Sequence, residues 1–357
     1  MTVQTDEQHT AEPALKSQHL PQAGTTSHPE FGAKTTASEA AAAFADQIKG
    51  KTSMSLNLAQ LTSVLITGPS QGGIGYETAL AIARYAPALL LLAGRDISRL
   101  EAAAAAIRSE LPNAHLSTVE LDLSSLSSVR AAAAQIKTTV DRLDVLINNA
   151  GIMMTPHQLT EDGHESQFAT NHLGPWLLTN LLRPTLGRVA IVSSVAHRTS
   201  PVHFDDPNFA SRPYSNFLSY AQSKTACVLD AVGFNVRGVQ AVALHPGGIR
   251  TNLGRYLSKE DMKGMIGRFF NDDGSMREDS GWEFKTLEQG ASTTIVAAFD
   301  PALRGGEYLD DCQVASVVGA ARDMTELMQG GVAEHALSRD NAERLWVLTE
   351  KMIGESF

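Results

Sequence analysis

Short apolar stretches alternate along this chain with longer stretches whose apolar residues recur at helical spacing. VLITG (64–68) is a strand-sized run with a β-branched bias, and an apolar-periodic helix follows it from Ile74 to about Tyr85. The rhythm repeats with strand ALLLLAG (88–94), a helix from Ile97 to about Leu111, strand HLSTVEL (115–121), a helix from Leu126 to about Val140, and strand LDVLINN (143–149). A second series adds a helix from about Glu165 to Leu182, strand RVAIVSS (188–194), a helix from about Asn216 to Val232, and strand VQAVALHPG (239–247). Strands apolar on both faces belong to parallel sheets covered by helices on each side. The pattern predicts an α/β protein with one doubly wound parallel sheet in three α/β/α layers, a single domain over residues 39–350.

The flanks follow other rules. Residues 1–38 are polar and poor in branched apolar side chains, too few to offset the entropy of ordering, and are expected to form a disordered tail. A short helix, EAAAAFADQI (39–48), comes next. Beyond residue 250 lies an irregular stretch, 252–285, read as a variable substrate lid; Met262, Met265, Ile266, Phe269 and Phe270 form an amphipathic segment there that suits a lid or plain packing alike. A helix from about Leu287 to Phe299, a last strand GEYLDD (306–311) and a C-terminal helix around NAERLWVLTEKMI (341–353) complete the chain.

Composition narrows the class. With 43% apolar residues among 357, the chain can bury a large core. The net charge of -10, with Lys and Arg scattered, leaves no basic stripe for nucleic acid. No run of eighteen apolar residues predicts a membrane span, and acidic Asp6, Glu7 and Glu12 with no early arginine argue against a presequence, so the cytoplasm is the expected compartment. Cys227 and Cys312 are too few for a disulfide framework and read as buried thiols. KGKT (49–52) lacks the earlier glycine of a phosphate loop, since Ala45 stands there.

Candidate chemistry begins at the turn TGPSQGGIG (67–75), between the first strand and first helix. Glycines at such a turn let a pyrophosphate approach backbone amides at the positive end of a helix, and Gly68, Gly73 and Gly75, with Ile74, are the candidates. At the end of the second strand the chain reads AGRD. Arg95 stands where an arginine can neutralise a ribose 2′-phosphate, with Asp96 as a helix cap, which favours NADP(H) over NAD(H). A solvated surface arginine is the alternative. Asp122, after the third strand, suits an adenine contact or a helix cap equally.

With TG....GIG, NNAG (148–151), NHLG (171–174), VSS (192–194), YAQSK (220–224) and HPGGIRT (245–251) in this order, the chain resembles the short-chain dehydrogenase/reductase family over about residues 40–350. NHLGPWLLTNLL and VSSVAH look most like the retinol dehydrogenase and WW-domain oxidoreductase branch. The resemblance implies a Rossmann fold, a catalytic set of Asn171, Ser194, Tyr220 and Lys224, and hydride transfer between a nicotinamide and a carbonyl or secondary alcohol of a small apolar substrate. It also implies a cofactor contact at Lys224 and Tyr220, a lining of Asn148, Asn149, Ala150 and Gly151, and a further set of Pro246, Gly247, Ile249 and Thr251 at the carboxamide and phosphate. His172, His197 and His245 have no metal-ligand spacing and read as structural.

The residue types make chemical sense. A phenol with a reference pKa of about 10 is a weak acid-base group near neutrality unless a cation stabilises its phenolate. Tyr220 and Lys224, one helical turn apart, share a face. Departures from the family pattern are a glycine turn of four residues between Gly68 and Gly73, the additional stretch SMSLNLAQLTS (53–63) expected as an edge extension, and shortened segments before VSS and after Lys224. The second shortening bears on a helix that often pairs subunits in the family, so homo-oligomerisation stays open. A nucleotide-binding module without turnover and an extended-branch epimerase are the competing readings.

Overall fold

The computed structural model describes residues 24–49, 62–257, 271, 277 and 283–357. Its centre is an eight-stranded sheet in the order β3-β2-β1-β4-β5-β6-β7-β8. The strands are β1 (Ser63–Thr67), β2 (Leu89–Gly94), β3 (Leu116–Glu120), β4 (Leu143–Asn148), β5 (Leu186–Val192), β6 (Gln240–His245), β7 (Tyr308–Asp310) and β8 (Gln313–Val314). All pairings from β3 to β7 are parallel, and β8 returns antiparallel on β7. Strand order reverses between β1 and β4, so the crevice at their carboxyl ends is where a doubly wound sheet accepts ligands.

Side-chain alternation divides the interior in two. Leu65, Leu91, Leu146 and Val189 face one core, packed by α5 (Leu126–Thr139), α7 (Gly174–Leu182) and α8 (Asn216–Val236). Val64, Ile66, Leu92 and Ile147 face the other, packed by α3 (Ile74–Ala83), α4 (Ile97–Glu110) and the helix Leu287–Phe299, here α9. Side-chain caps start most of these helices: Asp96 for α4, Ser125 for α5, Ser215 for α8 and Thr286 with Gln289 for α9. Helix α3 is different. Its N-cap is Gly73 and no side chain accepts from its first turn.

The C-terminal part adds a short helix, α10 (Met324–Leu327), a parallel pair of β9 (Val317–Val318) with β10 (Val332–Ala333), and α11 (Arg339–Ile353). Helix α11 lies on α8, where Trp346 packs edge-on to Trp176 at 4.7 Å and to Phe234 at 5.3 Å between ring centres. No helix among the described residues is long and apolar enough to cross a membrane.

The tail expected over residues 1–38 is corrected from Gly24 onward; residues 1–23 lie outside the described part. Residues 24–36 lie against the domain: Ser27 N–H donates to Asp300 Oδ2 at 2.8 Å, and Gln313 Nε2 donates to the carbonyls of His28 and Phe31. Phe31 stacks on His28, which meets Phe44 edge-on. A capping box of Thr36 and Glu39 then starts α1 (Ala37–Ala43), and its small Ala37, Ala40 and Ala41 let it pack closely; α2 (Ala45–Lys49) follows. These partners are remote in sequence, so local composition could not reveal them. Most of the stretch 53–63 and of the lid 252–285, including its amphipathic segment, lies outside the described residues. The helix bearing Lys224 runs on to Val236, four residues beyond the expected end.

Candidate active site

The glycine turn fits a dinucleotide by close approach. Gly68 has φ +69°, and a methyl there would lie 2.9 Å from the Ala150 Cβ. A methyl on Gly75 would meet Asn149 Nδ2 at 2.4 Å and the Gly68 carbonyl at 2.9 Å. The Gly73 N–H donates to the Ser70 carbonyl at 3.2 Å, and the uncapped first turn of α3 leaves the amides of Ile74 and Gly75 for phosphate oxygens, so the residues present suit a nucleotide pyrophosphate. Asn149 is the staple of this turn: its amide donates to the carbonyls of Thr67 (2.8 Å) and Gly68 (3.2 Å), while Thr67 Oγ1 accepts from the amides of Asn149 and Ala150. Asn148 instead turns inward, donating to Thr179 Oγ1 in the core.

At the other end, Arg95 and Asp122 line one cavity of about 280 Å³, together with Ser124, Ile152 and, unforeseen from the sequence, Arg255. Asp96 caps α4, accepting from Arg99 N–H. The cap of α5 is Ser125, so the capping alternative for Asp122 falls; its Oδ1 accepts from Ser124 N–H and Oγ–H.

Asn171 lies in a π-helical turn, Ala169–Leu173, between α6 (Ser166–Phe168) and α7. Such turns widen a helix and free carbonyls, and they recur at functional sites. The Asn171 carbonyl accepts from the Cys227 thiol at 3.2 Å, while its side-chain amide closes on both backbone atoms of Ile152 and donates to Ser223 Oγ, all near 2.9 Å. Burial pushes the Cys227 thiol up to about 11, so it stays protonated as a donor. Next to it, His172 is held between Asp230 Oδ2 and Thr349 Oγ1, each at 2.8 Å. Thr349 gives its only hydroxyl proton to the Leu345 carbonyl, so His172 Nε2–H must be the donor to Thr349. This network ties the π turn to α8 and α11.

Tyr220 and Lys224 share the buried face of α8, with the ammonium 5.8 Å from the phenol ring centre. Lys224 donates one proton to the Val192 carbonyl at 2.9 Å, at the end of β5. A methyl on Gly151 would lie 3.0 Å from Asn171 Oδ1 and 3.5 Å from Lys224 Nζ, so the loop after β4 touches both. Tyr220 packs with Ala196 and Met153, the first just past Ser194 and the second just past Gly151. All four nominated catalytic residues therefore converge beside the β4 and β5 ends. Ser194 Oγ accepts from Ala196 N–H at 3.2 Å, a bond that does not use its hydroxyl proton.

The loop after β6 closes the cleft from the opposite side. After Pro246, Gly247 takes φ +100°. Ile249 and Ile74 both crowd Gly290 of α9, within 2.7 and 3.0 Å of where a methyl would sit, so this loop meets the glycine turn. Thr251 starts a short turn, accepting from Leu253 N–H.

His197, fully buried behind Ser194, is held neutral: burial lowers its pKa to about 3. Between its ordinary 6.5 and about 3, the unfolded chain binds a proton that the fold refuses. Its contribution is therefore complete above pH 6.5 and is lost as pH falls, by about 1.4 kcal/mol per unit. Urea unfolding at about pH 6 and about pH 4 is expected to show a shallower loss in His197→Asn than in the wild type; parallel losses would refute it.

Comparison with known proteins identifies the family. The sequence profile of the family described as short chain dehydrogenase matches residues 62–262. Retinol dehydrogenase 13 of Homo sapiens is 38% identical over 303 residues, covering 82% of this chain and 84% of that protein. Short-chain dehydrogenase/reductase prx1 of Penicillium roqueforti is 36% identical over 307 residues, covering 82% and 85%. A solved structure, an uncharacterised protein from Mycobacterium paratuberculosis, superposes with a TM-score of 0.61 at 34% identity, covering 84% of this chain and 97% of that one. The chain belongs to the short-chain dehydrogenase family, in its retinol dehydrogenase branch. It is an oxidoreductase of the hydride-transfer kind, built on the fold its sequence pattern predicts.

Proposed function

We propose that this protein is an NADP(H)-dependent oxidoreductase that interconverts a carbonyl and a secondary alcohol on a small apolar substrate, with Tyr220 as general acid and base. The observation that carries the reading is the burial of Tyr220 and Lys224 on one helix face beside Gly151, Asn171 and the Ser194 turn. When bound, the nicotinamide supplies or accepts the hydride. In reduction, Ser194 donates a hydrogen bond to the substrate oxygen, and Tyr220 gives that oxygen its phenolic proton as the carbonyl carbon gains the hydride. Lys224 stabilises the phenolate left behind, and Asn171 holds the neighbouring loop by its side-chain amide. Oxidation runs the same steps backwards.

The preference for NADP(H) is supported by Arg95, which shares its cavity with Asp122 and Arg255. Arg95→Ala is expected to weaken NADPH binding by about ten- to a hundredfold, the worth of a charge-assisted contact, with NADH binding nearly unchanged. Fluorescence titration of both nucleotides measures this; equal losses for the two would remove Arg95 from the 2′-phosphate. Absorbance-monitored NADPH oxidation across aldehydes, ketones and quinones tests turnover. Tight NADPH binding with no oxidation across the panel would favour a nucleotide-binding module instead.

A further inference from the structure

The peptide group joining Ser194 to Val195 is gripped at both polar atoms by imidazoles from different parts of the chain. Its carbonyl oxygen lies 2.7 Å from His197 Nδ1, and its N–H donates to His245 Nδ1 at 3.3 Å. Proton counting fixes both rings. His197 Nε2 accepts from Ala333 N–H at 3.0 Å and is therefore bare, and a carbonyl cannot donate, so His197 carries its proton on Nδ1. His245 Nδ1 accepts an amide and is bare, so its proton is on Nε2.

We propose that His197 and His245 are positioning residues for Ser194, a pair of neutral imidazoles in opposite tautomers that together fix the plane of its peptide and hence the aim of its hydroxyl. The inference rests on the proposed role of Ser194 in reduction. The clamp is itself anchored: Ala333 belongs to β10, His335 Nε2–H donates to the His197 carbonyl at 3.1 Å, and Thr225, next to Lys224, approaches the same carbonyl at 2.9 Å. One side of the clamp thus answers to the C-terminal strand pair, the other to the end of β6. Burial lowers the pKa of both rings, which accords with neutral imidazoles near pH 7.

Two amide replacements separate the contacts. Asn at position 197 can present an N–H where Nδ1–H stands but cannot reach Ala333, whereas Gln reaches towards Ala333 and withdraws the side-chain donor from Ser194, leaving its carbonyl with only the backbone N–H of residue 197, which donates at 3.1 Å. H197Q is expected to lower kcat about ten- to a hundredfold, the scale of a small misplacement of a catalytic group, with KM and NADPH affinity held within about threefold. H197N is expected to restore kcat to within about threefold of wild type, and H245N, whose amide oxygen can accept from Val195 N–H, to exceed H245L. The decisive measurement is the cycle with S194A: the H197Q loss should vanish when Ser194 is already gone. A loss of the same size in that background, or an equal loss in H197N, makes His197 merely structural and overturns the proposal.

Nitrogen-15 spectra of histidine-labelled protein at pH 7 give an answer free of turnover. They are expected to show one ring protonated on Nδ1 and the other on Nε2. A charged ring or matching tautomers at positions 197 and 245 would also overturn it. If the wild type oxidises NADPH with no carbonyl compound, the proposed activity fails, and the spectra still decide whether the clamp exists.

Discussion

Phenylalanine in place of Tyr220 is expected to reduce kcat by about a thousandfold while leaving NADPH affinity within about threefold. Acid-base groups in transition states contribute about 10²- to 10⁴-fold, and here the change removes one oxygen from a ring whose packing with Ala196, Ala221, Met153 and Phe217 stays intact. The ring is 5% exposed, so phenylalanine fills its place without a cavity. Binding should survive because the contacts expected to hold the nucleotide's phosphates come from the glycine turn, where Gly68, Gly73 and Gly75 are untouched. Steady-state rates with the best substrate of the carbonyl panel, beside fluorescence titration of NADPH, separate the two quantities. Equal turnover by the mutant and wild type would mean that another group delivers the proton.

Alanine in place of Trp346 is expected to destabilise the protein by about 3 to 5 kcal/mol, the range for truncating a buried aromatic. The indole is 3% exposed, lies 4.7 Å from Trp176 and 5.3 Å from Phe234, and carries the Arg237 guanidinium 3.7 Å over its face. Its N–H donates to Glu350 Oε1 within the same helix. Neighbours that are themselves rigid rings cannot collapse into the space, so both transfer and cavity contributions are felt. Urea midpoints for the wild type, Trp346→Ala and Trp346→Phe test this, with the phenylalanine variant expected to retain more than half of the difference. A loss below about 1 kcal/mol in the alanine variant would show that α11 contributes little to the fold.

The alternation of strand and helix was legible because each element carries its own period, and both faces of β1, β2, β4 and β5 are apolar. Tyr220 and Lys224 were legible because one helical turn is a local distance. The rest depended on partners far along the chain. Residues 24–36 looked unable to order themselves, yet Asp300 and Gln313 supply the hydrogen bonds that hold them. Asn171 was placed inside a regular helix, and nothing in ATNHL marks the π turn that frees its carbonyl for Cys227. The pair β9 and β10, two residues each, is too short to show any period. Histidines 172, 197 and 245 read as structural, and their meaning lies in which peptide or carboxylate each one meets.

The reach of two of those contacts has a bearing on biosynthesis. His197 meets Ala333 across 136 residues, and His172 meets Thr349 across 177. A ribosome moving at typical speed needs on the order of ten seconds to travel the first of these distances. Until then the nascent protein holds Tyr220 and Lys224 without the strand whose Ala333 N–H donates to His197. The contacts that tie the π turn and the β5 end to the C-terminal elements are thus among the last to form, because Ala333 and Thr349 are made after every strand of the central sheet.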